Sequence, residues 1–142
     1  MNVKVIHICS IDKNKEKIIH RVCSIVLHQL KLPNTITIVL KKLEPSIYAE
    51  TNLQYSNQHK IVINSDLPIR NTIEPLIHEL IHLNQIYTGK LVGKKGYYVW
   101  QGIEYKNTNG LSQTYNDYRN MPWELDVNQR LPKLLEFVLS NK

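Results

Sequence analysis

The stretch Ile73–Tyr87 reads IEPLIHELIHLNQIY, and at its centre stands the pattern His-Glu-Leu-Ile-His, residues 78–82. Apolar residues recur through the stretch at helical spacing, so we predict a single amphipathic helix with a broad apolar surface. Side chains four positions apart lie on the same face of a helix, so His78 and His82 can both offer a ring nitrogen to one metal ion. The spacing therefore predicts a zinc site on a largely buried helix.

Glu79 lies one step round this helix from the first histidine. That offset keeps its carboxylate off the metal but close to a water on the metal, where it can act as a general base. The ordinary alternative is a helix with one buried histidine, one exposed histidine and a solvated glutamate. The apolar residues around the pair favour the metal site, because two imidazoles on a largely buried helix are costly unless they have a bonding partner.

A catalytic zinc site usually has three protein ligands and one open position for water, so a third ligand is needed. The extended pattern with a third histidine on the same segment fails, because Gln85 occupies its glycine position and Thr88 its histidine position. This excludes the metzincin type of site. No histidine or cysteine follows His82, so a downstream ligand must be a carboxylate. The candidates are Glu104, Asp117, Glu124, Asp126 and Glu136.

Glu124 is the favoured third ligand. It begins a predicted helix directly behind Pro122 and Trp123, a rigid entry that can aim a side chain into a cleft. Asp117 and Asp126 remain as alternatives.

Composition and charge favour one soluble domain, residues 1–142, with a core of its own. The net charge is +6, but the basic residues are scattered, which is more typical of a solvated surface than of a nucleic-acid groove. The N-terminal region has no apolar run of signal-peptide or membrane-spanning length, so we expect a cytoplasmic protein without membrane contact. Cys9 and Cys23 lack the spacing of a metal or redox motif and are expected to be reduced thiols.

Periodicity and turn residues predict both helices and strands along the chain. Strands are expected at residues 3–8, 35–42, 48–55 and 59–64, with a turn at 56–58, followed by a hairpin within 93–106 that turns near Gln101 and Gly102. A helix is expected around residues 18–30. Another should begin near Met121, be interrupted by Pro132 and end in a short segment at 134–139.

The His-Glu-Leu-Ile-His helix, the strand before it and the later helix that opens Met-Pro-Trp-Glu at residues 121–124 resemble known enzymes. They are similar to the small zincin-like metallopeptidases that use a glutamate as third ligand, the gluzincins. The likeness is strongest to compact phage and bacterial members and looser to SprT-like domains. It covers roughly residues 48–130, and the pentapeptide is its most specific part.

The resemblance implies a minimal zincin-like α+β fold. In such a fold an N-terminal helix and a small, mostly antiparallel sheet pack on the active-site helix, and a C-terminal helix carries the third ligand. Carried over position by position, it implies that His78, His82 and Glu124 bind Zn²⁺ and that Glu79 is the general base. Many gluzincins support a zinc histidine with a carboxylate four residues after the ligand glutamate. This chain has Asn128 at that position.

The expected function is therefore a zinc-dependent metallopeptidase, a hydrolase acting on a peptide or protein substrate. Tyr115, Tyr118 or Arg119 could steady the oxyanion, although packing or a surface contact explains each of them equally well. The strand at 49–55 could hold an extended peptide along its edge. Two alternatives are a catalytically silent zincin-fold interaction protein, such as a virion component, and a protease module associated with nucleic acid.

Overall fold

A computed structural model describes residues 2–8, 10–51, 59–106 and 120–141, and it describes Lys106 by its backbone alone. These residues confirm the predicted α+β class. In chain order the elements are β1 Asn2–His7, α1 Lys13–Leu27, β2 Thr35–Lys41, β3 Ala49–Thr51, β4 Lys60–Asn64, α2 Ile73–Tyr87, β5 Leu91–Lys94, β6 Tyr97–Trp100, β7 Ile103–Lys106 and α3 Pro122–Ser140.

The larger sheet has the strand order β1-β2-β4-β3. Its β1–β2 and β2–β4 pairings are parallel and only β3–β4 is antiparallel, so the expectation of a mostly antiparallel sheet is wrong here. The physical reason is the crossover through α1, which returns the chain to the end of the sheet where β1 began. The short antiparallel strand β3 forms one edge of this sheet.

One face of the larger sheet carries the core. Ile36, Ile38 and Leu40 alternate along β2, Ile61 and Ile63 alternate along β4, and all five are fully buried. The three helices pack into the same apolar cluster. Their buried members are Ile19, Val22, Cys23 and Val26 from α1, Leu76, Ile77, Leu80, Ile81 and Leu83 from α2, and Val127, Leu134 and Val138 from α3. The helix α2 is thus apolar on most sides because the sheet and both other helices surround it.

The strands β5, β6 and β7 form a separate antiparallel sheet. The predicted turn at Gln101 and Gly102 is confirmed, with φ angles of +48° and +84° that suit a tight hairpin turn. This sheet contributes to a second apolar cluster around Trp123, whose ring centroid lies 5.2 Å from that of Tyr98 and 5.6 Å from that of Tyr105. The cluster anchors the first turn of α3.

The helix α3 runs without a break from Pro122 to Ser140, so the predicted interruption at Pro132 is wrong. Proline removes one N–H, which leaves the carbonyl of Asn128 without its intrahelical partner. Both residues are exposed, so water can satisfy that carbonyl. Burial of Leu134 and Val138 beyond the proline outweighs the local cost.

Replacing Pro132 with alanine should therefore raise the free energy of unfolding, by about 1 to 3 kcal/mol, because it restores a helical hydrogen bond and removes a steric clash. Urea denaturation monitored by circular dichroism measures the change. Lys133→Ala, at the exposed neighbouring position, is the control and should shift the free energy by no more than about 0.5 kcal/mol. A destabilised Pro132→Ala protein would contradict this account.

Of the two cysteines, Cys23 lies in the described part of the chain and Cys9 does not. Cys23 is a free buried thiol, and burial raises its pKa to about 12, which makes it unreactive. Cys9, the end of the strand predicted at 48–55 and the turn at 56–58 lie outside the described residues. In the segments given above, no helix combines the length and the apolar character needed to cross a membrane.

Candidate metal centre

The helix α2 brings the residues of the pentapeptide together. The ligand atoms of His78, Glu79 and His82 lie within 4.8 Å of one another, close enough to hold a metal ion. The two imidazole rings meet edge to face with centroids 5.0 Å apart. The side chains of Glu79 and His82 are buried, whereas that of His78 is 33% exposed. The cluster therefore opens to solvent on the side of His78.

Glu124, in the first turn of α3, faces this pair from across the helix interface. Its Oε1 lies 2.8 Å from Nε2 of His82 and 3.5 Å from Nε2 of His78. The contact spans 42 positions of sequence and is buried. Of the predicted carboxylate ligands in the described residues, Glu124 is the one beside both histidines.

The other candidate carboxylates lie elsewhere. Asp126 contacts Gln85 and Arg130 instead of the histidines. Glu104 and Glu136 are exposed on β7 and α3. Asp117 lies outside the described residues, as do the three proposed oxyanion donors, Tyr115, Tyr118 and Arg119.

The spacing and the unmet bonding capacity of Glu124 fit a metal ion. Two ligands about 2.1 Å from a tetrahedral Zn²⁺ lie about 3.4 Å apart, which matches the 3.5 Å between Glu124 and His78. The 2.8 Å between Glu124 and His82 is a hydrogen-bond distance, so here a proton lies between the two atoms. Among the described residues, the buried Oε2 of Glu124 has no hydrogen-bond partner. Two imidazoles and one carboxylate are a donor set that Zn²⁺ accepts.

Glu79 sits beside the two histidines in a buried setting. Its Oε2 is 3.9 Å from Nε2 of His78. Burial raises its pKa, and the positive charges of His82 and His78 offset only part of that increase. The hydroxyl of Thr51 on β3 also acts to lower this pKa, although its geometry falls short of a hydrogen bond. A raised pKa brings Glu79 nearer to the range in which a carboxyl group can both accept and release a proton.

His82 makes a second contact on the side away from Glu124. Its Nδ1 lies 2.8 Å from Oε1 of Gln85. The amide of Gln85 must be oriented this way, because its Nε2 donates to the carbonyl of Trp123 and to Oδ2 of Asp126, and both are acceptors. Nδ1 of His82 therefore carries a proton, which it donates to Gln85, and Nε2 faces Glu124.

The charges of His82 and Glu124 stabilise each other. Burial alone would lower the pKa of His82, but the hydrogen bond to Glu124 and the negative charges of Glu79 and Glu124 raise it to about 9. Burial alone would raise the pKa of Glu124, but hydrogen bonding and positive charge from His78 and His82 hold it well below its usual range. Without metal, the pair is an imidazolium bound to a carboxylate.

This pair predicts a pH dependence of stability in the metal-free protein. A histidine with a pKa of 6.5 when unfolded and about 9 when folded stabilises the fold fully below pH 6.5. The contribution is lost as pH rises to about 9. We expect the free energy of unfolding to fall by about 3 kcal/mol across this window, measured by urea denaturation in the presence of a chelator. Glu124→Gln removes the main partner of His82, so its curve should be much flatter. An equally steep curve in that variant would assign the dependence to another group.

The sequence indicated that Asn84 and Gln85 could reach the cleft or a neighbouring loop, but it assigned neither of them a contact with His82. Gln85 lies three positions after His82 on the same helix face, and that spacing was the available signal. Asn128, where the resemblance implies a supporting carboxylate, is exposed. Asp126 accepts a hydrogen bond from Gln85.

Comparisons with protein-family models, with curated proteins and with solved structures found no match to this chain. The centre is therefore defined by its own geometry: a His-Glu-His cluster on α2 that could hold a metal ion, with the carboxylate of Glu124 beside it.

Proposed function

We propose that this protein is a zinc-dependent metallopeptidase in which His78, His82 and Glu124 bind Zn²⁺ and Glu79 is the general base. The observation that carries the proposal is the position of Glu124. Its carboxylate comes from another helix, lies within 3.5 Å of Nε2 of both histidines and is almost fully buried. His82 satisfies only Oε1 of this carboxylate, and among the described residues the buried Oε2 has no hydrogen-bond partner, which is costly unless a bound ion completes its environment.

The donor set supports zinc as the ion. Two imidazole nitrogens and one carboxylate oxygen are the ligands of one well-known type of catalytic zinc site, which keeps a fourth position open. Magnesium and calcium prefer sites made of oxygen atoms alone.

In the proposed reaction, each residue of the centre has a separate role in peptide hydrolysis. A bound Zn²⁺ supplies a Lewis acid that lowers the pKa of a water and polarises a carbonyl. Glu79 accepts the proton of the attacking water and later delivers it to the leaving nitrogen. His82 is held by Gln85 on one side, so its Nε2 keeps a fixed direction. Glu79 and Glu124 are buried, so little solvent water reaches them, and their electrostatic interactions with neighbouring charges are stronger than in water.

The exposed side of the centre supports a peptide as substrate. His78 is the most accessible of the four residues, so a substrate would approach across it. Thr51, the last described residue of β3, has its hydroxyl near Glu79, and β3 is an edge of the larger sheet as described. An extended peptide could pair with such an edge by main-chain hydrogen bonds.

The test is hydrolysis of a broad peptide library by zinc-loaded protein, analysed by mass spectrometry. We expect cleavage that a zinc chelator abolishes and that added Zn²⁺ restores. Stoichiometric zinc without cleavage of any library member would favour the catalytically silent interaction protein. Absence of zinc binding would reject the metal centre itself. Cleavage that appears only with added DNA or RNA would favour the protease module associated with nucleic acid.

A further inference from the structure

A buried hydrogen-bond chain leads from His82 out to the surface of α3. Gln85 accepts from Nδ1 of His82 at 2.8 Å and donates through its own amide to Oδ2 of Asp126 at 2.9 Å. Gln85 is fully buried, whereas the side chain of Asp126 is 22% exposed. The carboxylate of Asp126 is thus connected to the imidazole of His82, although the two are not in contact.

The outer end of the chain is held by Arg130. Its Nη2 lies 3.0 Å from Oδ2 of Asp126, in an ion pair whose angle is poor for a hydrogen bond, and its Nη1 donates to Oδ1 of Asn84 at 3.0 Å. Asn84 in turn donates to the carbonyl of Lys31. Because Asn84 and Gln85 belong to α2 and the charged pair to α3, these contacts fix the two helices that carry the centre relative to each other.

Both polar atoms of the Gln85 amide are engaged in hydrogen bonds. Its oxygen is the acceptor for His82, and its NH₂ group satisfies two acceptors, Asp126 and the carbonyl of Trp123. Trp123 immediately precedes Glu124 in α3. One side chain therefore contacts a histidine of the centre, the backbone next to Glu124 and a carboxylate.

We propose that Gln85 is the positioning residue of this centre, and that Asp126 acts on His82 through Gln85. This inference rests on the proposed function, since it concerns how His82 and Glu124 are held for zinc. The hydrogen bond from Nδ1 fixes the ring tautomer and its orientation, and Asp126 fixes the amide that accepts it. A supporting hydrogen bond of this kind typically changes metal affinity by about 10- to 100-fold.

The experiment is a zinc titration against a competing chromophoric chelator. It uses the wild type, Gln85→Met, Asp126→Ala and the double variant. Methionine keeps the length and burial of Gln85 but cannot accept from His82. We expect the zinc Kd to rise about 10- to 100-fold in Gln85→Met and by less than about tenfold in Asp126→Ala. The double variant should lose little beyond Gln85→Met alone, because the hydrogen bonds described between Asp126 and His82 pass through Gln85. Asn128→Ala, an exposed change on the same helix, should leave Kd unchanged.

A spectroscopic measurement separates positioning from general stability. In the zinc-loaded wild type, the Nδ1–H of His82 should give a slowly exchanging signal in imidazole ¹H–¹⁵N correlation spectra. That signal should be lost or shifted in Gln85→Met and kept in Asn128→Ala. If Gln85→Met does not fold, the test rests on Asp126→Ala, because the side chain of Asp126 is partly exposed. An unchanged zinc Kd and an unchanged Nδ1–H signal in Asp126→Ala would overturn the inference.

The outcomes also distinguish the two proposals. If the wild type does not bind zinc, or if Glu124→Gln binds it as well as the wild type, the proposed metal centre fails. If the wild type binds zinc through Glu124 but Gln85→Met retains the wild-type Kd, only the role of Gln85 fails. Strictly additive losses in the double variant would show that Asp126 acts independently of Gln85.

Discussion

Replacing Glu79 with glutamine is expected to lower kcat for peptide hydrolysis by about 10²- to 10⁴-fold, the usual effect of losing a general acid–base group. Glutamine has the same shape, but its amide cannot accept the proton of a water. Because Glu79 is proposed to act beside the metal and not as a ligand, the zinc Kd should stay within about tenfold of the wild type. Steady-state kinetics on a peptide substrate and metal analysis of dialysed protein give the two numbers.

Glu74→Gln is the matched control for this experiment. Glu74 lies on the same helix and undergoes the same chemical change, but it is exposed in the first turn, away from the centre. Its kcat should equal that of the wild type. Equal rates for Glu79→Gln and the wild type would remove Glu79 from the mechanism. A large loss of zinc in Glu79→Gln would instead make Glu79 a ligand, which its place in the His-Glu-His cluster also permits.

Replacing Glu124 with glutamine is expected to weaken zinc binding by at least about 100-fold. Protein zinc sites bind with roughly 10 kcal/mol or more in total, so one of three ligands accounts for about 3 kcal/mol. The amide keeps the volume of Glu124 but loses the negative charge that faces His78 and His82. The loss should resemble that of His82→Ala in the same competition titration.

The competing carboxylates supply the controls for Glu124. Asp117→Ala should leave the zinc Kd unchanged, and Asp126→Ala should raise it far less than Glu124→Gln does, since Asp126 contacts Gln85 and not the histidines. Stoichiometric zinc in Glu124→Gln together with its loss in Asp117→Ala would transfer the ligand role to Asp117.

The parts of the centre that local spacing determines could be predicted from the sequence. The helix Ile73–Tyr87 has the predicted bounds, because its apolar period is regular and Gly89 follows with a left-handed φ of +79°. Glu124 lies beside His82. It could be selected from the sequence because no histidine or cysteine follows His82 and few carboxylates remained to choose among.

The parts that depend on packing could not be predicted in the same way. The parallel pairing of β1 and β2 depends on how α1 crosses the sheet, and alternation along a strand is the same in either direction. The continuity of α3 through Pro132 depends on what is buried beyond it. The role of Gln85 requires knowing that Trp123 and Asp126 come to lie against α2.

The aromatic cluster around Trp123 connects the small sheet to the position of Glu124. Trp123 packs against Tyr98 of β6 and Tyr105 of β7, and its backbone continues directly into Glu124. Any event that loosens those strands would move the carboxylate of Glu124, the third ligand of the proposed zinc site, with no change in the histidines. If the proposed zinc site is correct, its affinity for zinc should therefore depend on the integrity of β5, β6 and β7.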